Sequence, residues 1–88
     1  MTDKDIYKDL ERLKEEINNS ISPDSPAKKT LIALVNDVEK RVEQPADEDQ
    51  DETLLENLKD AVSRLETEHP RATAILNDIM VTLSNMGI

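Results

Sequence analysis

The chain has 88 residues, 36% of them hydrophobic and 35% charged, with one aromatic residue, one glycine and no cysteine. That is room for one small domain, and it excludes a disulfide framework, thiol chemistry and, for want of turn glycines and aromatics, a well-packed β-sheet. Twenty acids against eleven bases give a formal net charge of −9, which repels both a phosphate backbone and an anionic membrane surface.

The first predicted element spans residues 3–20. Ile6, Leu10, Leu13 and Ile17 recur at spacings of four, three and four, which draws one apolar stripe along a helix. Thr2 is the expected N-cap, with Asp3 and Asp5 at the positive end of the helix dipole. The stretch NNSISPDSP ends the helix, because a residue before proline is pushed out of helical geometry. Ser25 followed by Pro26 then gives an N-cap with proline at the first helical position. The second helix, 26–44, carries the stripe Ala27, Leu31, Leu34, Val35, Val38 and Val42. Lys28 and Lys29 oppose its dipole, so they are expected in solvent.

Residues 45–50 read as an acidic linker, inside a run from Glu43 to Glu56 with seven acids and no base. Asp49 with Glu52 has capping-box spacing, which starts the third helix at 51. That helix runs to 68 on the stripe Leu54, Leu55, Leu58, Ala61, Val62 and Leu65. Pro70 opens the fourth, 70–86, whose stripe is Ala72, Ile75, Leu76, Ile79, Met80, Leu83 and Met86. Gly87 is the expected stop, free to take the left-handed conformation of a helix end. Four helices joined by short connections predict an all-α, antiparallel up-down four-helix bundle, with two packed helical hairpins as its variant.

Few side chains in this frame have the makings of a chemical site. His69 is the only histidine; with no second His and no Cys to share a metal, it reads with Pro70 as a structural corner between helices. Asp47, Asp49 and Asp51 imitate the opening of a calcium loop. Glu52, however, stands where that loop needs glycine, and Leu58 where it needs a bidentate Glu. The serines have no histidine, lysine or glycine-rich elbow beside them, and one glycine cannot build a phosphate loop. The expectation is therefore a non-enzyme with no metal, cofactor or small-molecule substrate. No apolar run approaches the roughly 18 residues of a membrane span, and the opening MTDKDIYKDL is unlike a signal peptide. A cytoplasmic location follows as the expectation.

One feature rises above this background. At 100° per residue Ala74, Val81 and Ile88 fall one heptad apart, nearly opposite the main stripe of the fourth helix, with small, lightly charged residues beside them. With Ile32 they form a candidate interaction surface for a protein partner, a second copy above all. The alternative is an acidic regulator or nucleic-acid mimic that occupies a basic partner surface.

The second half of the chain fits the pattern LxxxVxxxExEHPxxxxxLxxIxxxLxxMGI at Leu58, Val62, Glu66, Glu68, His69, Pro70, Leu76, Ile79, Leu83, Met86, Gly87 and Ile88. With the leucine-striped first helix and the acidic, proline-containing middle, it resembles a family of short bacterial proteins, domain-of-unknown-function family 4404. The resemblance implies a bacterial origin and supplies no catalytic residue and no cofactor.

Overall fold

The computed structural model describes residues 3–44 and 48–88, all helix or turn. Helices α1 (Asp3–Ser20), α2 (Pro26–Glu43), α3 (Glu48–Leu65) and α4 (Pro70–Asn85) form an antiparallel up-down bundle measuring 33 × 24 × 18 Å. Each helix touches the next, and α4 closes the ring against α1. Among the described residues the backbones of α1 and α3 do not approach closely, nor do those of α2 and α4, so each pair stands on a diagonal.

The stripes converge on one core. Ile6, Leu10, Leu13, Leu31, Val38, Leu58, Leu76, Ile79 and Leu83 are its largest fully buried side chains. Val42, Leu55, Val62, Leu65, Met80 and Met86 pack half-buried around it. Helices of this length are marginal alone, so this shared burial is what holds them.

The corners follow from local chemistry. Ile21, one step beyond α1, is buried, and its N–H still donates to the Ile17 carbonyl at 3.2 Å, so the apolar stripe outlasts the helix. Ser25 caps α2 as expected: its hydroxyl accepts from the Ala27 N–H at 3.2 Å, with Pro26 at the first helical position. At the other end the Gln44 N–H donates to the Lys40 carbonyl at 2.9 Å.

The α2–α3 corner departs from the expectation. α3 begins at Glu48 and not at 51, so Asp49 lies within the helix and not at the position before it. The helix also stops at Leu65, three residues short of 68. What organises the corner is an ion pair. The Arg41 guanidinium, in the last turn of α2, donates through Nε to Asp51 Oδ1 and through Nη2 to Asp51 Oδ2, the latter at 3.3 Å. This two-pronged contact pushes the Arg41 pKa above its ordinary value, so it stays charged across all workable pH. Acid at a helix start and base at a helix end also suit both dipoles. The expected N-cap Thr2 and the linker residues 45–47 lie outside the described residues.

The C-terminal end of α4 holds the largest correction. Gly87 takes φ +89°, its N–H donates to the Ser84 carbonyl (3.1 Å), and the Ile88 N–H reaches back to the Leu83 carbonyl (3.0 Å). This pair of bonds is a Schellman motif, and the usual apolar contact comes with it: Ile88 folds back to pack on the core. Ile88 therefore does not continue a seam on the outer face.

Candidate interaction surface

α4 is laid across α1 by polar contacts at fixed levels. Thr82, buried, donates its hydroxyl to Asp9 Oδ2 at 2.9 Å, and Arg12 Nη1 meets Asp78 Oδ2 at 3.2 Å. Asp9 also accepts from Arg12 at 3.4 Å, so its largely covered carboxylate has two donors. Among the described residues Thr82 and Thr73 are the two buried polar ones, and neither stood out in the sequence. The position of Thr82 did carry a signal: Ile75, Ile79, Thr82 and Met86 repeat at four, three and four, the spacing of a buried stripe. The Thr73 hydroxyl is satisfied locally, donating to the carbonyls of His69 (3.2 Å) and Pro70 (3.0 Å).

These contacts turn the opposite side of α4 outward. Between Ala74 and Asn85 the exposed residues are Ala74, Asn77, Asp78, Val81, Ser84 and Asn85. Asp78 is the one charge among them, and Arg12 already pairs with it. Val81 sits at the centre with 60% of its surface exposed, more than any other large hydrophobic residue described. On the outer faces of α1 and α3, by contrast, charged side chains make up about half of the exposed positions.

The proposed surface residues do not all meet. Ala74 and Val81 share the outer face of α4, whereas Ile88 is drawn onto the core. Ile32 is 41% exposed, but it lies on α2, diagonal to α4. It stands one heptad before Glu39, whose carboxylate meets Lys14 of α1 at 3.2 Å, so it faces the α1 flank and cannot extend a flat patch centred on Val81.

His69 occupies the N-cap position of α4, at φ −134° and ψ 62°, yet its side chain makes no capping hydrogen bond. The corner is held by backbone: the His69 N–H donates to the Leu65 carbonyl (2.8 Å), and the His69 carbonyl accepts from the Thr73 N–H (3.1 Å). Pro70, at the first helical position, removes an N–H that would otherwise lack a partner. Among the described residues no three His, Cys, Asp or Glu side chains are grouped to hold a metal. Of the calcium-like triad, Asp51 is committed to Arg41. Among the described residues no helix is long and apolar enough to cross a membrane.

Fold and surface together define a small all-α bundle with a charge-poor outer face on its last helix. The chain belongs to the family described as Domain of unknown function (DUF4404), whose model matches residues 6–88. No curated protein matches the chain. No solved structure matches it either.

Proposed function

We propose that the protein is a non-enzymatic interaction module of the cytoplasm that works by protein–protein contact, and that its first partner is a second copy meeting it along the outer face of α4. The observation that carries this reading is Val81: a 60% exposed aliphatic side chain centred on a strip whose one charge is internally paired. For a molecule of net charge −9, that strip is where two copies can approach without placing like charges face to face. Ala74 adds a small side chain that permits close helix approach. The strip is short, since α4 has 16 residues, about 24 Å of helix, so the contact is weak, micromolar at best.

The acidic-mimic alternative has less support. Arg41 neutralises Asp51, and Lys59 and Arg64 interrupt the acidic face of α3.

The test is Val81→Lys, which sets a charge in the centre of the strip without touching the core. Light scattering across a concentration series at about 1 M salt, where ionic contacts are screened beyond about 3 Å and an apolar strip is not weakened, should give a reversible monomer–dimer equilibrium for the parent and a folded monomer for the variant. A parent that stays monomeric at every concentration, or a variant that dimerises equally well, refutes the proposal.

A further inference from the structure

The bundle is electrically lopsided. The sequence from 47 to 68, which contains α3, holds nine acids against two bases, and one of those bases, Arg64, pairs with Asp60 at 3.2 Å. On the diagonal helix α1, Lys4, Lys8 and Arg12 recur every fourth residue and so share one outward strip. Like charges four apart on a helix repel, and cations in the first turns oppose the dipole. For Arg12 the fold offers a return in Asp9 and Asp78, and for Lys14 in Glu39. Lys4 and Lys8 make no ion pair among the described residues, although both are exposed. Between them stands Tyr7, the only aromatic residue, 39% exposed. With the stems of Lys4, Lys8, Glu11 and Arg12 it lines a shallow depression of about 530 Å³.

We propose that this α1 face receives the start of α3 from another copy of the chain, Lys4 and Lys8 pairing with Glu52 and Glu56. The match is one of spacing as well as sign. Glu52 and Glu56 are exposed and four residues apart, so their Cβ atoms have the same roughly 5–6 Å spacing along a helix as those of the two lysines. Half-buried Leu55 lies between them and supplies an apolar edge for the Tyr7 ring. Because α1 and α3 are diagonal, the two faces point away from each other. The contact joins unlike surfaces, does not close on itself, and propagates as an open chain of molecules. At about 0.15 M ionic strength the overall repulsion of the copies is screened beyond about 8 Å, while charges in contact still attract. This contact is independent of the α4 strip.

The experiment is sedimentation equilibrium at that ionic strength, with Val81→Lys in every chain so that the α4 strip contributes nothing. The background chain should show a weight-average mass that climbs with concentration past roughly twice the monomer, without a dimer plateau. Lys4→Glu/Lys8→Glu and Glu52→Lys/Glu56→Lys should each remain monomeric alone, and an equimolar mixture of the two should associate again. Helical circular dichroism verifies that each is folded. Should either reversal unfold the chain, Lys4→Ala/Lys8→Ala with the same mass readout decides. A monomeric background chain, an undiminished mass in the reversal variants, or a mixture that fails to associate overturns the proposal.

Discussion

Replacing Gly87 with alanine separates two accounts of the C-terminal end by the sign of the effect. In the structure Gly87 sits at φ +89°, where an L residue is strained by about 1–2 kcal/mol, and its surroundings are open, so no steric clash adds to that. Alanine also restricts the unfolded chain, which returns about 0.4–1 kcal/mol. The net loss is about 1 kcal/mol. An 88-residue domain unfolds with an entropy of about 180 cal/mol/K, so the melting temperature should fall by about 5 °C. Asparagine, which tolerates the left-handed region better, should lose less. If α4 instead ran on through Ile88, as a continuous outer seam requires, glycine would be a helix-interior defect and alanine would stabilise by up to about 1 kcal/mol. Thermal melts followed at 222 nm decide the matter, and an unchanged or raised midpoint would refute the Schellman cap.

Three further outcomes follow from the packing. Leu58→Ala, at a fully buried position, should cost about 2–5 kcal/mol in urea denaturation, whereas truncating exposed Ile32 should cost under about 0.5 kcal/mol. Thr82→Val keeps the shape but deprives the covered Asp9 carboxylate of a donor; a loss of about 1–2 kcal/mol is expected, and a neutral result would mean that Arg12 and water satisfy Asp9 alone. His69→Asn should leave stability unchanged or raise it by up to about 1 kcal/mol, since the histidine side chain makes no capping bond to lose; a loss as large as that of Leu58→Ala would give the histidine another role.

The bundle was legible because its signals are local and repeated. Stripes at 3.6-residue spacing, Ser25–Pro26 and Pro70 each name a helix or its start without help from the rest of the chain. Three things were not legible, for different reasons. The α2–α3 corner is bridged by Arg41 reaching Asp51, a contact between residues ten apart that no spacing rule anticipates. Ile88 was placed by extending an ideal helix one residue past a glycine, although Gly87 was itself read as the stop; the reversal at Gly87 swings the next side chain inward. Thr82 is hidden by its hydroxyl, a polar group at a position whose spacing is that of the buried stripe. The exposure of Val81 agrees with an outward face, but a face is not a partner, and periodicity cannot say which side chains a second molecule covers.

The absence of cysteine makes the most direct test of the α4 contact simple, because single labels can be placed without altering native thiols. A nitroxide at Ser84→Cys lies on the outer face of α4; one at Asn36→Cys lies on the exposed face of α2, across the diagonal. Pulsed dipolar spectroscopy at high protein concentration should give Ser84 labels a short, well-defined intermolecular distance, since paired helices pack with axes about 8–10 Å apart. The Asn36 labels should give only longer distances, and Val81→Lys should abolish the Ser84 signal. A well-defined short distance between Asn36 labels, or no coupling between Ser84 labels at any concentration, would contradict the claim that α4 carries the interaction.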